Sequence, residues 1–69
     1  MISHPNRSDR VGKRVRIKGG MAEFLGRTGT IVAKEGGLFR VRLDEPVEIE
    51  GLGPVRDDLW EGRLLTTVR

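Results

Sequence analysis

With 69 residues and no cysteine, the chain has room for one domain and can hold neither a disulfide nor a thiolate metal site. Its ten glycines and the absence of long periodic Ala- and Leu-rich runs favour short strands joined by tight turns over a helical bundle. The net charge of +3 conceals an asymmetry: residues 1–43 carry ten Lys or Arg against three acids, and residues 44–69 three Arg against seven. Such a division suits a polyanionic partner for one face, self-association of opposite faces, or simple solvation of a small domain.

Residues 1–10 show no periodic pattern and no apolar core of the kind a secretion signal needs, so a flexible, mildly basic tail is expected there. No later run approaches membrane-spanning length. The expectation is a cytoplasmic protein with one domain over residues 11–69. Arg14-Val15-Arg16-Ile17-Lys18 alternates charged and β-branched residues with period two, the pattern of a half-buried strand, and Gly19-Gly20 ends it. Residues 21–26 read as a loop anchored by Met21, Phe24 and Leu25. A second strand is expected over 29–34. Glu35-Gly36-Gly37 then signals a hairpin. In residues 38–43, Phe39, Val41 and Leu43 fall on one face and Arg40 and Arg42 on the other.

Asp44-Glu45-Pro46 is expected to break the ladder, since Pro has no N–H to donate. Alternation resumes over 47–50 as a fourth strand. Residues 51–54 read as a turn, with Val55-Arg56 returning as a short strand. Asp57-Asp58-Leu59-Trp60 has the look of a capped helical turn, and residues 64–68 read as a final strand. Five or six short strands in so small a chain suggest a closed barrel, which leaves no exposed sheet edge. Val15, Ile17, Ile31, Phe39, Val41 and Leu43 are the expected core.

Two stretches resemble the KOW motif of transcription elongation factors and some ribosomal proteins: Gly12-Lys13-Arg14-Val15-Arg16-Ile17-Lys18-Gly19-Gly20, and Leu25-Gly26-Arg27-Thr28-Gly29-Thr30-Ile31-Val32. Gly29 occupies the motif's central glycine and Ile31-Val32 its apolar positions. The resemblance implies an SH3-like barrel and binding of RNA or partner proteins through basic loops. Physically, a glycine at position 29 lets a strand begin where the chain crosses close to a neighbour. A fainter resemblance, carried by Gly12-Lys13-Arg14-Val15-Arg16 and Gly37-Leu38-Phe39-Arg40-Val41, is to the small plasmid-encoded dihydrofolate reductases, which are tetrameric SH3-like barrels. Those enzymes line a pore with Val-Gln-Ile-Tyr. Val47-Glu48-Ile49-Glu50 puts acids where that family meets anionic substrates, which speaks against the activity. The fold expected is therefore all-β, a small SH3-like barrel of five or six short strands with one helical turn near the C-terminus.

The leading functional feature is a basic stripe. Arg14, Arg16 and Lys18 alternate along one strand and Arg40 and Arg42 along another, with Arg27 extending the set from a loop, so that a phosphate backbone could be tracked. Pairing with Glu48 and Glu50 would neutralise part of it. Phe24, Phe39 and Trp60 are the only aromatics, too few for base stacking, a proline-rich peptide groove or a methyl-lysine cage. Trp60 is expected over one barrel end. His4, the one histidine, lies in the tail, and no nucleophile–histidine–acid set can be assembled. Asp57 and Asp58 with Asp44 and Glu45 read as solvated or capping acids, so no metal is assigned. Gly19-Gly20 and Gly36-Gly37 lack the Lys-Ser/Thr of a phosphate loop. The chain thus reads as a binder and no enzyme, without cofactor or membrane contact. Its expected partner is RNA or DNA bound without sequence specificity, or an acidic protein surface. The alternatives are a homo-oligomeric module and, further off, a pore-type reductase.

Overall fold

A computed structural model describes residues 10–68; of the expected tail, all but Arg10 lies outside that range. The fold is all-β. Five strands, β1 (Arg14–Ile17), β2 (Thr28–Glu35), β3 (Leu38–Ile49), β4 (Gly53–Glu61) and β5 (Leu65–Thr67), form one antiparallel sheet in the order β4-β3-β2-β1-β5. Two 3-10 turns interrupt them, Ala22–Phe24 between β1 and β2, and Gly62–Leu64 between the two edge strands β4 and β5. The sheet is open: β4 and β5 are not hydrogen-bonded to each other. No helix among the described residues is long and apolar enough to cross a membrane.

Alternation in sequence becomes alternation in burial. Val15 and Ile17 of β1 are buried while Arg14 and Arg16 are exposed, and Phe39, Val41 and Leu43 of β3 are buried on the same side of the sheet. All six expected core residues are buried, joined by Phe24, Val47, Ile49, Trp60 and Leu65. Trp60 meets Phe24 edge-on, with ring centroids 5.2 Å apart and planes at 83°, the arrangement the aromatic quadrupoles prefer. The hairpin at Gly36-Gly37 closes on the pair Glu35↔Leu38, with Gly36 at φ +61°.

Several elements depart from expectation. Asp44-Glu45-Pro46 does not end a strand: β3 runs through it for 12 residues, and the expected fourth strand is its second half. Register on β4 moves from Arg42↔Asp57 to Val47↔Val55, so residues 43–46 stand opposite Arg56 alone. A bulge there asks no ladder bond of Pro46, which removes the objection to proline in a strand. Asp57–Trp60 is not a helical turn but part of β4, facing β3 through Asp57↔Arg42, Asp58↔Val41, Leu59↔Arg40 and Trp60↔Phe39. Cross-strand pairing, with Trp60 driven into the core, outweighs the capping preference of the two aspartates. The helical turn near the C-terminus falls at Gly62–Leu64 instead, and a 3-10 turn forms at Ala22–Phe24 where a loop was expected. Arg10 does not behave as tail. It donates to the carbonyls of Gly62 (3.0 Å) and Leu65 (3.1 Å), and its guanidinium lies 5.3 Å from the Phe39 ring centroid.

Candidate nucleic-acid interface

Burying Val15, Ile17, Phe39, Val41 and Leu43 forces the intervening arginines to the outer face of the sheet. Register then decides which of them meet. One row across the strands reads Arg14↔Thr30↔Arg42↔Asp57, and the next reads Thr66↔Arg16↔Thr28. Arg14, Arg16 and Arg42 therefore share one face, interleaved with three threonine hydroxyls. Lys18 and Arg27 flank the end of this face, where β1 leaves and β2 enters the sheet: the Lys18 amide donates to the Leu64 carbonyl at 2.8 Å and the Ile17 amide to the Arg27 carbonyl at 2.9 Å. Both side chains are exposed.

Two of the six stripe residues are already engaged with acids. Arg14 grips Asp44 through both terminal guanidinium nitrogens, at 2.7 and 2.6 Å, and Thr28 donates its hydroxyl to the same carboxylate at 2.6 Å. Those hydrogen bonds hold the Asp44 carboxyl well below the ordinary carboxylate range, and the bond to Asp44 raises the Arg14 guanidinium above its usual value. Arg40, on the same outer face, lies between Glu35 at 2.6 Å and Asp57 at 2.9 Å. Its hydrogen bond to Glu35 lowers that carboxyl, and the Arg40 guanidinium is pushed up chiefly by the same bond. The neutralising acids are thus Asp44, Glu35 and Asp57. Glu48, expected in that role, sits beyond the bulge opposite Pro54.

What remains is a smaller set. Arg16, Lys18, Arg27 and Arg42 make no ion pair among the described residues. Three of the four acids considered as a cation site are engaged within the chain: Asp44 is held by Arg14 and Thr28, Asp57 by Arg40, and Asp58 accepts the Leu59 amide at 2.8 Å. No group of three or more potential ligands among the described residues is placed to hold a metal. His4 lies outside the described residues.

A feature the sequence reading passed over is a recess of about 360 Å³ between the first 3-10 turn and the end of β4, floored by Phe24 and Trp60. Met21 and Phe24, expected as loop anchors, and Trp60, expected over a barrel end, meet in it. No family model, curated protein or solved structure matches the chain.

Proposed function

We propose that the chain is a small accessory binding module of SH3-like, KOW-related type. It acts by contact and not by catalysis, and lays the outer face of β1, β2 and β3 along a nucleic-acid backbone. The observation that carries this reading is the shared face of Arg16 and Arg42, in rows with Thr28, Thr30 and Thr66, with exposed Lys18 and Arg27 beside its end, all four cations outside any ion pair among the described residues. Guanidinium, ammonium and hydroxyl groups are the phosphate-binding side chains, and a set with few aromatics positions a backbone without reading bases. The antiparallel order of the five strands, with a 3-10 turn between the last two, supports the SH3-like reading.

The test is a salt titration of binding to single- and double-stranded oligonucleotides, begun at low ionic strength. Affinity is expected to fall linearly in log K against log salt, independently of sequence. Absence of binding at low salt overturns the reading. Self-association is the second reading, favoured by one observation. Leu52 is 75% exposed at the tip of the β3–β4 hairpin, beyond Glu48 and Glu50, where it offers a second copy an acidic, apolar-tipped projection. Oligomers that dissolve with rising salt would place it first.

A further inference from the structure

The recess beneath the first 3-10 turn has the opposite character from the basic face. Its apolar lining comes from Phe24, Trp60, Leu38, Leu64 and Met21, the last 51% exposed at the rim. Its charged lining is Asp58 and Glu61 alone, with no lysine or arginine, in a chain of net charge +3. One oxygen of each carboxylate is occupied: Asp58 takes the Leu59 amide at 2.8 Å, and Glu61 takes Arg63 at 2.6 Å, which leaves the other oxygen of each open.

A second observation points into the same space. Trp60 is only 5% exposed, yet its indole N–H donates to no described residue and is not sealed from solvent. A side chain on Gly20 would have its Cβ 3.5 Å from that nitrogen, so the glycine, at φ +98°, leaves the donor uncovered. The recess therefore offers an apolar floor, one uncommitted N–H donor beside Gly20 and two carboxylates. Those are complements to an apolar side chain, a backbone carbonyl and a cation.

The geometry points to a docking site for a segment of a partner protein that presents a lysine or arginine beside an apolar side chain, held between Met21, Trp60 and Leu64 with its cation against Asp58 and Glu61. This does not rest on the nucleic-acid reading, since the two surfaces share no residue. Charge complementarity selects the occupant: an acidic segment would be repelled by Asp58 and Glu61, the only charged groups of the lining, and an uncharged one would leave Asp58, which has no ion pair among the described residues, without a cation.

Trp60 is the chain's only tryptophan, so its emission reports on this recess alone. The experiment titrates the full chain with a short soluble peptide of alternating leucine and lysine, and in parallel with its leucine–glutamate counterpart. A saturable emission change is expected with the first peptide and not the second. Asp58→Asn with Glu61→Gln, which keep an acceptor for the Leu59 amide and for Arg63, should weaken it about tenfold. Met21→Ser, at a half-exposed position where the fold is not at stake, should weaken it as well. Arg16→Gln with Arg42→Gln should leave it unchanged. No response to the leucine–lysine peptide, or equal responses to both peptides, overturns the assignment. So does an emission change that follows protein concentration without peptide, which would give the recess to a second copy of this chain.

Discussion

Arg14 and Asp44 are joined by two hydrogen bonds across the full width of β2, with Thr28 of that strand donating to the same carboxylate. The pair links strands that do not touch through their backbones, and it sits at the start of the β3 bulge. It also removes one guanidinium from the basic face, so binding and stability are coupled at this point.

The pair fixes a pH dependence. Asp44 has its carboxyl lowered from 3.8 in the folded chain, and Glu35 is lowered beside Arg40. A depressed carboxyl contributes stability that is complete above its unfolded value and is lost as pH falls through its folded one. The thermal midpoint should therefore drop from about pH 4 downward, and Asp44→Asn should flatten that drop while lowering the plateau at neutral pH. Melting curves across this range decide; wild type and variant falling in parallel would detach Asp44 from the acid response. Because both side chains are well exposed, at 51% and 38%, added salt should shrink the difference.

Opposite changes in salt slope are expected from two substitutions on the outer face. Replacing Arg16 and Arg42 by Gln should reduce the slope of log K against log salt by two contacts, roughly 1.4–1.8. Asp44→Asn, which frees Arg14, should steepen it by one contact, roughly 0.7–0.9. Arg40→Gln should move the slope little, since Arg40 is committed to Glu35 and Asp57. Oligonucleotide binding by anisotropy at several salt concentrations measures all three.

Gly29 has no room for a side chain. A Cβ there would collide with the Arg42 carbonyl oxygen and lie 2.9 Å from Val41 Cγ1. Neither neighbour can yield, one being backbone and the other a fully buried side chain. Gly29→Val should abolish the folded circular-dichroism spectrum. Gly36, at φ +61° with open space around it, should accept Asn with little loss, because Asn tolerates the left-handed region. Equal tolerance at the two sites would contradict the close approach.

Phe39 of β3 pairs with Trp60 of the neighbouring β4 in the core, with Arg10 over its ring. Phe39→Ala should cost about 3–5 kcal/mol by denaturant titration, much of what a domain of this size possesses. A cooperative unfolding transition close to that of the wild type would mean the ring is not central.

Some of this was open to a reader of the sequence and some was not. Period-two alternation in β1 and the first half of β3 placed five core residues correctly, Val15, Ile17, Phe39, Val41 and Leu43, because each strand has one buried and one solvated side. The same logic failed at β4, where the inward position before Trp60 is Asp58, an exposed residue at the sheet's edge that breaks the pattern a reader looks for. Pro46 misled because a bulge, set by pairing with β4, is invisible locally. Glu35 and Arg40 lie five residues apart around a recognisable hairpin, so that ion pair was within reach. Arg14 and Asp44 are 30 residues apart, and only the register of three strands brings them together.

The placement of β5 has a kinetic consequence. β2, β3 and β4 are consecutive antiparallel neighbours and can zip up through local turns, whereas β1 must wait for Leu65–Thr67 to gain its second partner. Closing a loop of that length is slow relative to forming a hairpin. During synthesis the backbone groups along one side of β1 stay unpaired until Leu65–Thr67 has emerged, an interval in which a nascent strand edge is available to other chains. Leu65→Ala should accordingly speed unfolding and leave the folding rate almost untouched, while Val41→Ala should slow folding.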